Sequence, residues 1–323
     1  MARVKPRIRI AEPVEFSPTA LERLRAVADV ELRPCARSEI RAALAECDVF
    51  WFRLAHRIGR QELGPAPRCR ILATPVTGID HIDLAACAER NIRVLSLRGE
   101  VQFLRTVRAT AELTVGLALA LLRHIPAAAS SVARGEWLRD QFHGRELYGK
   151  RAGLVGVGRL GTLVAGLLRA FGMEVVGYDP RPDFPPEVAR VDRLADLVAS
   201  SDLISIHASY HAGSHRLIGR DLIARIKPGA VLINTARGAI LDEAALLEAL
   251  ERGSLAGAAL DVLDGEPDIH GDHPLIEYAR RRENLLIVPH LGGNTVESFE
   301  KTEYFLAERV VAALASAEAE EPR

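Results

Sequence analysis

Three side chains suited to ionic and acid–base chemistry follow short apolar runs in the second half of the sequence. They are Arg237, Glu266 and His290. A histidine can donate or accept a proton near neutral pH, an arginine can hold an anionic group, and a carboxylate can orient a histidine and favour its charged form. Hydride transfer to or from a carbonyl compound requires such a set. We therefore expect the three side chains to meet at one site.

A glycine-rich turn supplies a candidate binding site for the nucleotide that hydride transfer uses. Gly156, Gly158 and Gly161 form the pattern G-x-G-x-x-G between an apolar run and an amphipathic stretch, and a second apolar run ends at Asp179. This strand, turn, helix, strand and acid order predicts a pyrophosphate at the start of the helix, and it disfavours the alternative of an ordinary glycine-rich turn. Asp179 would accept from the ribose hydroxyls and repel a 2′-phosphate, which favours NAD over NADP, although Arg181 could soften that preference.

Alternating strands and helices must position these residues. Short apolar runs that predict buried strands alternate with helical patterns in both halves of the chain, which indicates parallel sheets covered by helices. In an open α/β sheet, ligands bind at the carboxyl ends of the strands. The strands predicted in the second half span residues 152–157, 174–178, 203–207, 231–235, 258–262 and 285–288.

The pattern predicts an α/β protein with two Rossmann-like or flavodoxin-like parallel-sheet domains. The nucleotide-binding domain, 103–290, would be inserted into a substrate-binding domain formed by 1–102 and 291–323. Two stretches interrupt the alternation of strands and helices. We expect a loop over 97–109 and an irregular arm over 127–148.

Composition narrows the classes of partner. The net charge is −1, so no global field favours nucleic acid or an anionic membrane. The apolar segment 113–122 is too short to span a bilayer, and the amino terminus lacks the apolar region of a signal peptide. We expect a cytoplasmic protein with no metal site and a disordered end over 317–323. No C-x-x-C pattern occurs, and we expect free thiols at Cys35, Cys47, Cys69 and Cys87.

Several longer segments resemble the NAD-dependent, D-isomer-specific 2-hydroxyacid dehydrogenases. The matching segments are GVGRLG with Asp179, and residues 77–84, 109–123, 231–250, 256–267 and 284–295. The resemblance implies the interconversion of a D-2-hydroxy acid and its 2-oxo acid, with NAD or NADH as the cofactor. Residues 135–150 look most like D-3-phosphoglycerate dehydrogenases, and we expect no regulatory domain of the kind that some of those enzymes carry.

The resemblance also implies roles for the three polar side chains. Arg237 would bind the substrate carboxylate and polarise the 2-oxo group. His290 would be the general acid in reduction and the base in oxidation, while Glu266 would hydrogen-bond His290 and fix its orientation. The related formate dehydrogenases carry glutamine at the position of Glu266, so a hydroxy acid is favoured over formate.

The same resemblance implies the cofactor contacts. Arg159 and Leu160 would contact the pyrophosphate through their backbone, Asp261 would hold the nicotinamide carboxamide, and the backbone near Thr235 would assist. The full set expected to line the cofactor is Gly156, Gly158, Arg159, Leu160, Gly161, Asp179, His207, His211, Thr235, Ala236, Asp261, Gly292 and Gly293.

Substrate contacts are expected from the amino-terminal part of the chain as well as from Arg237. Arg53 matches a place where the phosphoglycerate enzymes have a substrate-facing arginine, but Leu54 and His56 replace the usual neighbouring Ser and Thr. The resemblance places the substrate carboxylate against the backbone of Val76, Thr77 and Gly78.

The segment 97–109 departs from the family, which usually has a turn rich in Asn, Thr and Pro there. Its arginines, Arg98, Arg105 and Arg108, could meet a second anionic group of the substrate. Equally, they could form a solvated face or contact a partner subunit. The sequence leaves the hydroxy acid and the direction of the reaction open.

Two functional hypotheses follow. The first is an enzyme acting on a small 2-hydroxy or 2-oxo acid. The alternative is an NAD-binding regulatory protein of the same fold, like the transcriptional corepressors of the family, which can keep the same three polar residues. In either case the resemblance implies a homodimer formed through the helix at 109–123 and the arm at 127–148.

Overall fold

Residues 5–320 are described by a computed structural model, without the side chains of 317–320. The chain divides into two compact units. The discontinuous domain contains the described residues up to Val107 and from Asn294 onward, and the central domain is Arg108–Gly293. The sequence prediction had placed the two boundaries after residues 102 and 290.

The discontinuous domain contains a five-stranded parallel sheet in the order β2-β1-β3-β4-β5. Every residue of the third and fourth strands along the chain is buried, with Phe50 and the following Phe52 packed on one face and Trp51 on the other. The strands are β1 Arg7–Ile10, β2 Asp29–Leu32, β3 Val49–Trp51, β4 Ile71–Ala73 and β5 Arg93–Leu95. The helices among them are α1 Pro18–Arg25, α2 Ile40–Glu46, α3 Arg60–Leu63, α4 Leu84–Glu89 and α5 Val101–Leu104.

The central domain contains a seven-stranded parallel sheet in the order β12-β11-β10-β9-β6-β7-β8. The strands are β6 Arg151–Val155, β7 Glu174–Tyr178, β8 Ala189–Arg190, β9 Leu203–Ile206, β10 Val231–Asn234, β11 Gly257–Leu260 and β12 Leu285–Ile287. The helices are α6 Ala109–Leu122, α7 Ile125–Ala133, α8 Arg159–Ala170, α9 Leu194–Ser200, α10 Arg220–Ile223, α11 Glu243–Glu251 and α12 Pro274–Ala279. Separate apolar clusters cover the two faces of the sheet.

The strand order of the central domain reverses between β6 and β9. Successive strands run outward from β6 in one direction and from β9 in the other. Ligands of doubly wound sheets bind at this switch point, beyond the carboxyl ends of the strands. The predicted fold class of two parallel-sheet α/β domains is therefore confirmed.

The last helix, α13 Val296–Glu320, belongs to the discontinuous domain and packs on α1. Ser17 caps the start of α1 by accepting from the amide of Ala20, and its own amide donates to Oε2 of Glu303 on α13 at 2.7 Å. The helix is assigned as far as Glu320 and so includes the first four residues of the segment 317–323, for which disorder stays a prediction. Residues 321–323 lie outside the described part of the chain.

Several predictions of secondary structure are wrong where the hydrophobic pattern of the sequence is weak or irregular. The expected loop at 97–109 contains α5, and the expected irregular arm at 127–148 overlaps α7. Neither β2 nor β8 was predicted, because β2 is at most half-buried and both residues of β8 are exposed. These two strands lie at sheet edges and are recognised by their backbone pairing with β1 and β7, since none of their residues is buried.

The structure also bears on membrane association. Within residues 5–320, no single helix has the length and apolar character needed to cross a membrane. Only the pair Val101–Leu122 and Ile125–Ala133, bent by 63°, meets the length and composition criteria together.

Candidate active site

The glycine turn leads from β6 into α8 at the switch point of the central sheet. Gly156 has φ of 91°, and a Cβ at this residue would lie 2.6 Å from the amide nitrogen of Ala208. A Cβ at Gly161 would lie 2.2 Å from the carbonyl oxygen of Gly156. Gly158 is the N-cap residue of α8, and no side chain caps this helix. The turn therefore needs glycine at two positions and presents a helix amino terminus of the kind that binds phosphate.

Asp179 follows β7 and supports the glycine turn. The carboxylate is buried, and its Oδ2 accepts from the amide of Val157 at 3.0 Å. Arg181 donates to the same carboxylate through its backbone amide, Nε and Nη2. Burial by itself would raise the pKa of Asp179, but the hydrogen bonds from Arg181 and Val157 and the charge of Arg181 outweigh it and lower that pKa. The acid is therefore held in its ionised form beside an arginine.

His207 lies at the end of β9, on the other side of the switch point. Its Nε2 is 2.9 Å from Oγ of Ser205, whereas its Nδ1 is buried without a hydrogen-bond partner. Burial lowers the pKa of His207 to about 4, so the ring is neutral at physiological pH. A buried polar atom without a partner is costly and calls for a ligand or a water molecule. His211, by contrast, is exposed, and its Nδ1 accepts from the amide of Gly213.

These features fit a dinucleotide. The glycine turn leaves no room for a side chain at Gly156 or Gly161, and Asp179 is ionised for ribose hydroxyls. Nδ1 of His207 is an unpaired polar atom next to the turn. Arg159 and Leu160 are the first residues of α8 and are half-buried, which places their amides at the helix amino terminus. The residues that sequence reasoning assigned to the pyrophosphate and the ribose therefore lie together.

The turn after β10 carries Arg237. Asn234, which is completely buried, accepts from the amide of Ala236 and donates to the carbonyl of Arg237, each at 3.0 Å. Thr235 Oγ1 is 2.9 Å from Thr114 Oγ1 on α6. The guanidinium of Arg237 is half-buried, and its Nη1 donates to the carbonyl of Ala236. Sequence reasoning missed Asn234, whose signal was a polar residue at the end of an apolar strand.

Asp261 holds the segment that bears His290. Its Oδ1 accepts from the amide of Leu291 at 2.5 Å, and its Oδ2 accepts from the amide of Gly292 at 2.9 Å. Its carbonyl oxygen accepts from the amide of His290, which has φ of 54°. Burial raises the pKa of Asp261, although the two amides oppose this effect. The structure thus shows Asp261 fixing the loop through Gly292, with Gly293 exposed at the domain boundary; contact with a nicotinamide carboxamide stays a prediction.

Glu266 and His290 form the acid–base pair expected from the sequence. Nδ1 of His290 lies 2.5 Å from Oε2 of Glu266, and both side chains are partly exposed. Oε1 of Glu266 accepts from the amide of Leu263 at 2.7 Å, which fixes the carboxylate. With Nδ1 engaged by a carboxylate, Nε2 is the atom of His290 that can exchange a proton with a ligand.

Gly238 brings the Arg237 turn against the loop that leads to Glu266. A Cβ at Gly238 would lie 2.0 Å from the amide nitrogen of Asp264 and 2.0 Å from the carbonyl carbon of Leu263. The two strand ends are therefore packed backbone to backbone. Sequence reasoning also missed Glu243, whose Oε1 accepts from the amide of Asp264 at 2.8 Å.

The residues expected to contact substrate from the discontinuous domain follow β3 and β4. Val76, Thr77 and Gly78 form a partly exposed segment that is anchored where the carbonyl of Val76 accepts from the amide of Leu97. Arg53 has partners within its own domain: its Nε and Nη2 donate to Oε1 of Glu303. These contacts give Arg53 a structural role, and its binding of substrate stays a prediction.

The segment 97–109 is fixed by α13. Phe103 stacks on Phe305 with a ring-centroid distance of 4.0 Å, and Nζ of Lys301 donates to the carbonyl of Thr106. Its three arginines, Arg98, Arg105 and Arg108, are exposed. Their exposure fits a solvated face, and contact with a second anionic group of the substrate stays a prediction.

The chain is similar to known proteins over most of its length. Residues 115–292 match the family described as D-isomer specific 2-hydroxyacid dehydrogenase, NAD binding domain. The chain is 35% identical over 298 residues to the D-3-phosphoglycerate dehydrogenase of Methanocaldococcus jannaschii, which covers 90% of this chain and 54% of that enzyme. The chain spans about half the length of the D-3-phosphoglycerate dehydrogenases that it matches.

Two further similarities extend over nearly whole chains. The hydroxypyruvate reductase of Thermotoga maritima is 32% identical over 308 residues, covering 94% of this chain and 97% of that enzyme. A crystal structure of D-lactate dehydrogenase from Aquifex aeolicus, complexed with NAD and lactic acid, superimposes with a TM-score of 0.82 at 28% identity, covering 96% of each chain. Both domains of the fold are therefore shared with these proteins.

Proposed function

Since the chain belongs to the D-isomer-specific 2-hydroxyacid dehydrogenases, we propose that it is an NAD-dependent oxidoreductase interconverting a D-2-hydroxy acid and its 2-oxo acid. The observation that carries this proposal is the 2.5 Å contact between Nδ1 of His290 and Oε2 of Glu266, in the domain that holds the glycine turn. A carboxylate in that position favours a proton on the imidazole and fixes the ring.

The residues divide the work of the reaction. Bound NADH supplies the hydride in the direction of reduction. Nε2 of His290 donates the proton to the carbonyl oxygen, and Glu266 stabilises the charged imidazole that must be present beforehand. Arg237 holds the substrate carboxylate and polarises the 2-oxo group. In oxidation the same Nε2 accepts the hydroxyl proton, and Asp261 keeps the loop of His290 in place throughout.

The surroundings of Arg53 favour a substrate without phosphate. Its guanidinium is paired with the buried Glu303, and Leu54 and His56 offer no hydroxyl groups. We therefore infer that hydroxypyruvate, glyoxylate and other small 2-oxo acids are better substrates than 3-phosphohydroxypyruvate. The near full-length similarity to a hydroxypyruvate reductase supports the same order.

A substrate screen tests the proposed function. The purified protein is mixed with NADH and, in turn, hydroxypyruvate, glyoxylate, 3-phosphohydroxypyruvate or a branched 2-oxo acid, and the loss of NADH absorbance is followed. We expect turnover with at least one of them, and we expect His290→Ala to abolish it while NADH binding stays within about twofold. Absence of turnover with every oxo acid, together with retained NADH binding, would instead favour the NAD-binding regulatory alternative.

We also propose a homodimer formed through α6, α7 and the following arm. The apolar side chains Ile125 and Val132 on α7 are exposed, and Trp137 in the arm is 85% exposed. Exposed apolar groups grouped in this way are typical of an interface. Light scattering coupled to size-exclusion chromatography should give twice the chain mass, and Trp137→Ala should weaken the association.

We propose a cytoplasmic location, with a small 2-hydroxy or 2-oxo acid and a second copy of this chain as partners, and with no nucleic-acid or membrane partner. All four cysteines are buried as free thiols, which fits a reducing compartment, and the net charge of −1 offers nucleic acid no attraction. Fractionation of cells that make the protein from its natural gene tests the location, and recovery with the membranes would contradict it.

A further inference from the structure

Two carboxylates hold consecutive amides of one loop in the central domain. The loop runs from the end of β11 to Glu266, whose Oε1 accepts from the amide of Leu263 at 2.7 Å. Oε1 of Glu243, on α11, accepts from the next amide, that of Asp264, at 2.8 Å. The loop is therefore fixed both by the acid of the acid–base pair and by a second acid from a neighbouring helix.

Helix capping does not explain the position of Glu243. The N-cap residue of α11 is Asp242, which accepts from the amide of Ala245. Glu243 is the next residue, and its carboxylate turns away from its own helix to reach the loop. This placement is unfavourable for a charge: burial, with the nearby Asp264 and Glu266, raises the pKa of Glu243 to about 7. An acid kept in such surroundings next to an acid–base pair indicates a role at that pair.

His273 supports Glu243 from the other side. It is the N-cap residue of α12, and its Nδ1 accepts from the amide of Leu275 at 3.3 Å. The ring proton of the neutral imidazole is therefore on Nε2, which lies 3.3 Å from Oε2 of Glu243. Both side chains are largely buried. Glu243 and His273 thus form a second carboxylate–imidazole pair behind the pair formed by Glu266 and His290.

The peptide between Leu263 and Asp264 has little freedom on its opposite side. A Cβ at Gly238 would lie 2.0 Å from the amide nitrogen of Asp264, so the Arg237 turn already packs directly against this peptide. A shift of the peptide would change the position of Glu266 and the packing beside Arg237 together. The hydrogen bond from Asp264 to Glu243 opposes such a shift.

We propose that Glu243 and His273 are positioning residues: they hold the Leu263–Asp264 peptide where Glu266 can engage Nδ1 of His290. Neither residue touches the reacting atoms. The expected effect on turnover rests on the proposed function, because Glu243 and His273 would act by making proton transfer at His290 efficient.

The first test compares variants of Glu243 in the full-length protein. Glu243→Ala removes the acceptor for the Asp264 amide, and we expect kcat to fall about tenfold, because small displacements of catalytic groups are costly. KM for the oxo acid and the affinity for NADH should stay within about twofold. Glu243→Gln keeps an amide oxygen as acceptor and should restore kcat to within about threefold of the wild type. The matched control is Glu248→Ala on the same helix, because Glu248 pairs at the surface with Arg220 and Arg252.

The second variant, His273→Asn, separates capping from positioning. Asparagine is a good N-cap residue, so α12 should keep its stability. The substitution withdraws the ring from Glu243, and we expect a threefold to fivefold loss of kcat with an unchanged thermal unfolding midpoint. If Glu243→Ala fails to fold, Glu243→Gln and His273→Asn still test the inference.

A readout without turnover distinguishes failure of this inference from failure of the proposed function. In protein labelled with ¹⁵N-histidine, the proton between Nδ1 of His290 and Glu266 should give a resolved resonance that is absent in His290→Gln. Glu243→Ala and His273→Asn should broaden or shift it, and Glu248→Ala should not. If the resonance is unchanged in both test variants, or if kcat of an active wild type is unaffected by them, the inference is overturned. If the wild type reduces no oxo acid, the proposed function fails and the resonance alone decides the inference.

Discussion

The two domains each contain an acid paired with a basic side chain, and the surroundings of the two pairs differ. In the discontinuous domain, Glu303 is 0% exposed and Arg53 is 12% exposed, and the guanidinium also bonds the carbonyl of Val14 and lies over the ring of Phe299. In the central domain, Glu266 and His290 are 29% and 24% exposed. The first pair is enclosed by its own domain, whereas the second is partly exposed and engages His290 through Nδ1, which leaves Nε2 without the carboxylate.

The difference teaches that an ion pair alone does not identify an active site. The sequence predicts that Arg53 and His290 both contact substrate, since each matches a family position, but it does not predict the pairing of Arg53 with Glu303. Enclosure makes the Arg53 pair structural, because removing one partner would leave a buried charge without compensation. Partial exposure, together with a carboxylate on Nδ1 of His290, makes the other pair suitable for proton transfer.

The largest expected effect concerns the stability of the discontinuous domain. Glu303→Ala leaves Arg53 buried without its partner, so we expect a loss of about 3 kcal/mol in the free energy of unfolding. Urea denaturation followed by the fluorescence of Trp51 in this domain measures it. The control is Glu308→Ala on the same helix as Glu303, which removes the partly exposed partner of Arg23 on α1 and should leave the free energy of unfolding nearly unchanged. Equal losses in the two variants would remove the contrast between enclosed and exposed pairs.

The next effect concerns turnover. Glu266→Gln keeps the shape of the side chain but removes the charge that stabilises the imidazolium form of His290. We expect kcat for reduction to fall about 100-fold, within the usual range for general acid–base catalysis. Steady-state kinetics with the best oxo acid measures the fall, and the unfolding free energy should change by less than about 1 kcal/mol because the pair is partly exposed. A stability loss as large as that of Glu303→Ala would contradict the distinction between the two pairs.

The sequence predicted the acid–base pair but not the enclosed one, for a physical reason. Glu266, His290 and the glycine turn lie at the ends of strongly apolar strands, and a parallel sheet gathers such ends at one edge. Arg53 and Glu303 are 250 residues apart, and no local pattern couples them.

The same reasoning accounts for the other omissions. Glu243 and His273 meet only after α11 and α12 have packed, and nothing in their spacing indicates the contact. The short strand β8 has exposed residues, so only its pairing with β7 reveals it. Local patterns therefore predicted the elements and the site, whereas contacts between distant side chains required the structure.

The smallest expected effect concerns a third pair, in which one partner is enclosed and the other is exposed. Asp179 is 7% exposed and Arg181 is 54% exposed, so the acid is enclosed and the arginine is available to solvent. The arginine can leave the carboxylate and meet the 2′-phosphate of NADPH, whereas NADH needs only Asp179. We expect Arg181→Ala to weaken NADPH binding about fivefold, about 1 kcal/mol as for exposed ion pairs, and to change NADH binding by less than about twofold. Fluorescence titration with each nucleotide measures both changes in affinity.

Arg193→Ala is the control for lost positive charge, because Arg193 is an exposed arginine of the same domain paired with Asp196. An equal loss in the control would show a general charge effect, and tighter NADPH binding in Arg181→Ala would show that enclosure of Asp179 alone sets the cofactor preference.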